Sequence, residues 1–257
     1  MILRTLASGS SGNSILIQSG SSAVLVDAGI SCRKITQRLR DCGLTPGDLN
    51  GILVTHEHTD HIAGLGVLMK HCNVPIYASG GTCAALVRKY PVTQNHLMLV
   101  PAGTCFDLAG LTVTAFPTPH DAADSVGYRV SDGDKSAAVA TDLGQVTDYI
   151  RSILTGTDLV LLESNHDIAS LRSGPYPYYL QERILSDIGH LCNEAAAELA
   201  VYLARQGTRT LVLGHLSKEN NTPELAYSVV QNALQRAGLS PRLGLAPRDE
   251  LSQAYEV

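Results

Sequence analysis

The chain has 257 residues, 44% of them apolar and 17% charged, with a formal net charge of −5. That length can bury a large core, and the even composition excludes a disordered, collagen-like or low-complexity chain. No run approaches the roughly 18 apolar residues of a membrane span, and the opening MILRTLASGS lacks the basic head, long apolar middle and cleavage site of a secretory signal.

In chain order, short apolar runs suited to buried strands are SILIQ, AVLVD, GILVT, PIYAS, LTVTAF, VGYRV, SAAVAT, DLVLLE and TLVLG. Helical stretches fall between several of them: CRKITQRLRDC, TCAALVRKY, EAAAELAVYLARQ and PELAYSVVQNALQRAG. The last follows Thr222-Pro223, a cap residue with proline at the first helical position. Strands cluster early and then alternate with helices, which predicts α/β layering. Six cysteines, at 32, 42, 72, 83, 105 and 192, include no C-x-x-C pair. They read as reduced thiols, so a cytoplasmic protein with no membrane partner is expected.

The reactive side chains gather at strand ends: Asp27 ends AVLVD, His56 follows GILVT, Asp142 follows SAAVAT, Glu163 ends DLVLLE and His215 follows TLVLG. Ligand sites of open α/β sheets lie outside the carboxyl ends of strands, so one shared cleft is expected. The densest signal is THEHTDHIAGL, which puts His56, His58, Asp60 and His61 within six residues. Imidazole with carboxylate suits Zn, Mn or Fe. The spacing of His56 and His58 lets one extended turn aim both rings at one ion, while Asp60 and His61 on the next helical turn face a second position. Four ligands cannot close two sites, and His120, Asp142 and His215 follow in order as the distant partners.

H-x-H-x-D-H followed by a lone His, a lone Asp and a lone His resembles the metallo-β-lactamase superfamily over nearly the whole chain. The resemblance implies a four-layered αβ/βα sandwich, taken as one domain over 1–257, with two divalent metal ions in its cleft. It implies His56, His58 and His120 as ligands of the first ion and Asp60, His61 and His215 as ligands of the second. Asp142 would bridge them, and Asp27 would orient the ligand loop. Such a pair of ions can hold a hydroxide nucleophile between them and stabilise an in-line displacement, with Asp60 part of the catalytic apparatus. A bridging carboxylate is what superfamily hydrolases with two equal metal sites prefer, the phosphodiesterases among them, whereas the β-lactamases themselves usually carry Cys there.

Two stretches read alike, Gly189-His190-Leu191 and Gly214-His215-Leu216. An acidic strand end, a G-H before a helix and a final His is the ordering seen in superfamily nucleases, whose extra histidine contacts the scissile phosphate or its leaving oxygen. Glu163 is therefore expected to orient and charge His190, which suits a general acid. With LASGSSGNSILI, ESNHD, GHLCNEAAA and GHLSKENNTPELA, the chain resembles the YycJ/WalJ family. That resemblance implies a 5′-to-3′ exonuclease acting on DNA and linked to mismatch repair. Only the 26 residues 164 to 189 separate Glu163 from His190, so no inserted β-CASP domain is expected. The net negative charge argues mildly against a general nucleic-acid binder, although bound cations cancel carboxylates locally. Alternative readings are a ribonuclease of the same fold and an acyl hydrolase, a lactonase or thioesterase, with the same metals. Ser217, Lys218, Asn220 and His166 are candidate substrate contacts. The SGSSGNS loop could meet a phosphate or be a plain hairpin turn, and Tyr176, Tyr178 and Tyr179 could stack on bases or form core or rim.

Overall fold

A computed structural model describes residues 1–257. The chain builds two seven-stranded sheets, and its two halves follow the same route, an antiparallel meander followed by parallel strands with helical crossovers. In the first half β1 (Ile2–Ala7), β2 (Ser14–Ser19) and β3 (Ser22–Val26) pair antiparallel, and α1 (Cys32–Asp41) leads to β4 (Gly51–Leu53). Next come α2 (Thr59–Ile62), α3 (Leu65–Leu68), β5 (Ile76–Ala78), α4 (Gly80–Lys89) and β6 (Leu97–Leu99), with β3 to β6 parallel.

The second half repeats the plan. β7 (Cys105–Leu108), β8 (Leu111–Pro117), β9 (Val126–Ser131) and β10 (Ser136–Ala140) pair antiparallel. Then α5 (Asp148–Leu154), β11 (Leu159–Glu163), α6 (Ile168–Ser173), α7 (Tyr178–Leu185), α8 (Asn193–Arg205), β12 (Thr210–Gly214), α9 (Pro223–Arg236) and β13 (Arg242–Leu245) follow, with β10 to β13 parallel. The closing strand β14 (Tyr255–Glu256) returns to the first sheet and pairs with β1.

Alternation along the strands makes the layers. Ile15, Ile17, Val24 and Val26 of the first sheet pack with Val113, Tyr128, Val139 and Leu161 of the second. Their neighbours Leu16, Leu25 and Ile52 turn the other way, onto Ile35 and Leu39 of α1 and Leu86 of α4. Val160, Leu162, Leu211 and Leu213 meet Leu199 and Leu203 of α8 and Val230 and Leu234 of α9. Strands buried on both faces read as continuous apolar runs, which is why the sequence displays them so clearly. The outcome is the expected αβ/βα sandwich. Leu162→Ala, which empties space at a fully buried position, is expected to cost about 2–5 kcal/mol, seen as a lower urea midpoint with an unchanged slope.

The expected helices form within two residues of their predicted limits, and Thr222 caps α9 by accepting from the Leu225 N–H at 3.2 Å. The sequence reading did not anticipate β1, β6, β7, β13, β14 or α5 to α7. Two-residue β14 exists because Leu3 offers a partner to Tyr255 from the other end of the chain, and no local pattern encodes that pairing. No helix is long and apolar enough to cross a membrane.

Candidate metal centre

The fold carries the expected site residues to the segments that follow strands, with Asp60 and His61 on α2. Three of these turns are backbone-strained: Asp27, Asp142 and His215 have φ of 62°, 59° and 54°. Asp and His enter this left-handed region more readily than most residues, but at a cost that the surroundings must impose. Strand β3 ends before Asp27, β10 before Asp142 and β12 before His215, so each strained residue turns its side chain from the sheet into the cleft.

Two sets of donors converge there. His56, His58 and His120 form one; Asp60, His61 and His215 form the other. His58 Nδ1 lies 3.2 Å from His120 Nε2, and Asp60 Oδ2 lies 3.4 Å from His61 Nε2 and 3.5 Å from His215 Nε2. Asp142 stands between the sets, 3.4 Å from His61 Nε2 and 3.7 Å from both His120 Nε2 and His215 Nε2. All seven expected ligands are thus brought together.

The outer nitrogens of the rings are held so that the inner ones face the centre. His61 Nδ1 donates to Asp27 Oδ2 at 2.7 Å, and Asp27 also accepts from the Thr55 N–H and hydroxyl, both at 2.8 Å. His120 Nδ1 donates to the Gly189 carbonyl at 3.1 Å, and His56 Nδ1 meets the Thr55 hydroxyl at 3.0 Å. Partners of this kind fix ring orientation in metal sites. Asn13, which the sequence reading passed over, sits under the second set with its amide 3.2 Å from His61 Nε2 and 3.4 Å from Asp60 Oδ2. Its place in SGSSGNS shows that this loop supports ligands from beneath. Gly29 is equally committed, since a Cβ there would collide with the Asp60 carbonyl oxygen. Gly29→Ala is therefore expected to displace Asp60 and weaken metal binding by about 10–100-fold, measured by competition with a chromogenic chelator.

The twin histidines share one carboxylate. Glu163 Oε1 accepts from His190 Nδ1 at 2.7 Å and from His215 Nδ1 at 2.9 Å, while Oε2 accepts from the N–H groups of Leu143 and Leu191 at 2.8 and 3.2 Å. Both of its oxygens are so engaged and the residue is fully buried, so Glu163 holds the two histidines by their Nδ1 atoms. Sequence reasoning paired it with His190 alone; the structure adds His215. His190 Nδ1 is 3.8 Å from Asp142, and the His190 side chain keeps 20% exposure, which leaves its outer edge open to the cleft.

The electrostatics suit cations. Burial disfavours the Glu163 anion, yet His190 and His215 pull its pKa down to about 2. Burial likewise opposes charge on His215, but Asp142, Asp60 and Glu163 raise it to about 10. His61 is raised by Asp142, Asp60 and Asp27 against its own burial. The carboxylates thus draw positive charge into the cleft. His56 Nε2, His215 Nε2 and Asp142 Oδ2 are buried without any hydrogen-bond partner, a costly state that divalent cations would relieve. The imidazole and carboxylate donors therefore fit the expected metals. Adding Zn or Mn at about 1,000 times its dissociation constant is expected to stabilise the metal-free protein by about 4 kcal/mol, read as a concentration-dependent rise in Tm.

The family described as "Beta-lactamase superfamily domain" matches residues 22–216. Exodeoxyribonuclease WalJ of Streptococcus pneumoniae serotype 2 is 41% identical over 239 residues, 91% of this chain and 88% of that protein. Exodeoxyribonuclease YycJ of Bacillus anthracis is 38% identical over 236 residues, 91% and 89% of the two chains. The chain belongs to the WalJ/YycJ family of the beta-lactamase superfamily. Among solved structures, the metallo-beta-lactamase fold protein YhfI of Bacillus subtilis superposes over 100% of both chains with a TM-score of 0.73 at 19% identity, a likeness of fold.

The expected substrate contacts of this WalJ/YycJ chain differ in exposure. Ser217 and Asn220 are 4% and 0% exposed, and the Ser217 hydroxyl accepts from the Asn220 N–H at 3.2 Å. They shape the loop behind His215. Lys218 beside them is exposed. His166 is 1% exposed and lines a small pocket next to His190. Tyr178 and Tyr179 stand 71% and 74% exposed on α7, so they are rim and not core. Another contact absent from the sequence reading is Asp121, which follows His120 and pairs with Arg183 of α7. It ties that helix to the ligand turn.

Proposed function

We propose that this chain is a two-metal phosphodiesterase that removes nucleotides from DNA in the 5′-to-3′ direction, with Zn or Mn bound. The observation that carries the reading is the Glu163–His190 pair at 2.7 Å beside Asp142, an acid–base element added to a complete set of metal donors. The names of the WalJ and YycJ relatives support DNA as the substrate.

His56, His58 and His120 would hold one ion and Asp60, His61 and His215 the other, with Asp142 between them. When bound, the ions supply a nucleophile from water and neutralise charge on the phosphate. The chain's own residues do the rest. Glu163 accepts the Nδ1 proton of His190 and so fixes the ring with Nε2 toward the cleft. From there His190 contacts the scissile phosphate and gives a proton to the departing oxygen. Exposed Lys218 meets the strand's phosphates. Six free cysteines fit a protein working in the reducing cytoplasm.

The test is a time course on end-labelled single- and double-stranded DNA and matching RNA, comparing wild type with Asp60→Ala. Stepwise loss from the 5′ end of DNA, absent in the variant, is the expected result. Turnover of a lactone or thioester by metal-loaded protein that leaves every nucleic acid intact would overturn the reading.

A further inference from the structure

Beside His190 lies a pocket of 160 Å³, walled by Ile168 of α6, Leu185 of α7, Leu191 in the turn after His190 and Ala195 of α8. His166 is its most buried polar side chain, 1% exposed, and neither of its ring nitrogens has a hydrogen-bond partner. Burial pushes the His166 pKa down to about 4, so near neutral pH its ring offers one donor and one acceptor and no charge. Leaving both unpaired is unfavourable. No Lys or Arg lines the pocket, which disfavours a phosphate as its occupant. The volume is below that of pockets for whole drug-sized ligands and suits a single ring system. Apolar walls with a neutral donor and acceptor at depth match a nucleobase, which has apolar faces and a hydrogen-bonding edge.

The position makes the match specific. His190 forms one wall and is also the residue placed at the scissile phosphate, so an occupant here belongs to a nucleotide flanking the cut. We infer that this pocket takes the base of the terminal nucleotide being removed, with His166 pairing its edge and Ile168, Leu185 and Ala195 enclosing its faces. The inference rests on the nuclease reading and adds to it a reason for one-nucleotide steps: a base must seat before each cut.

The experiment compares two DNA ends, one with an ordinary 5′-terminal nucleotide and one with an abasic residue there, on metal-loaded wild type, Ala195→Leu and His166→Phe. A base in an apolar, stacking pocket is expected to favour the ordinary end by about 5- to 150-fold in kcat/KM. Filling the pocket with Ala195→Leu should bring that ratio close to one, chiefly through KM. Independently of turnover, thymidine added to the loaded wild type should shift the His166 ring ¹⁵N resonance, identified by its loss in His166→Phe. Equal cleavage of both ends by wild type, or a ratio that survives Ala195→Leu, overturns the pocket while leaving the nuclease reading intact. Failure to cut either end overturns both.

Discussion

Replacing Glu163 by glutamine is expected to lower kcat by about 10²–10⁴-fold and, in the same protein, to weaken metal binding by about 10–100-fold. The double effect follows from one atom. Oε1 accepts from His190 and from His215, at 2.7 and 2.9 Å, so the histidine proposed to meet the phosphate and a candidate metal ligand depend on the same oxygen. A glutamine keeps the volume, but its NH₂ cannot accept, so its single oxygen serves either the two histidines or the N–H groups of Leu143 and Leu191 and leaves the other set facing a donor. The check is metal content by mass spectrometry alongside single-turnover cleavage. Full metal occupancy with a normal rate would remove Glu163 from both roles. Loss of metal with a normal rate on metal-saturated protein would leave it supporting His215 alone.

The second large effect separates the twins. His190→Ala is expected to keep its metals and lose about 10²–10⁴-fold in kcat, whereas His215→Ala is expected to lose metal from the second set. The distinction is geometric: His215 Nε2 is buried, lacks any partner and faces Asp60 and Asp142, while His190 keeps an exposed edge. A proton donor matters least when the leaving group is already acidic. The His190→Ala defect should therefore shrink on thymidine 5′-p-nitrophenyl phosphate relative to DNA. An equal defect on both substrates would show that His190 positions the site without supplying the proton.

Much of this centre was legible before folding because its chemistry is written locally. His56, His58, Asp60 and His61 are clustered in one turn after an apolar strand, and such a cluster has few structural uses. His120, Asp142 and His215 became legible only through their order behind that loop and the family resemblance. The supports were hidden for a physical reason. Asn13 and Gly29 act through contacts with Asp60 and His61 that lie far along the chain, and an isolated Asn or Gly carries no pattern. The burial of Ser217 and Asn220 was hidden too, because a polar run beside His215 looks solvent-facing until its packing is known.

The sequence by itself determined much of the strand and helix alternation, the clustered candidate donors His56, His58, Asp60 and His61, and the family, since apolar periodicity and ligand spacing are properties of neighbours along the chain. Only the tertiary structure decided that both GHL histidines share Glu163, that β14 closes the first sheet against β1, and that His166 lies unpaired beside His190. Each of these depends on which side chains meet across sheets and turns. Contacts between distant residues come from packing, and no local stretch contains them.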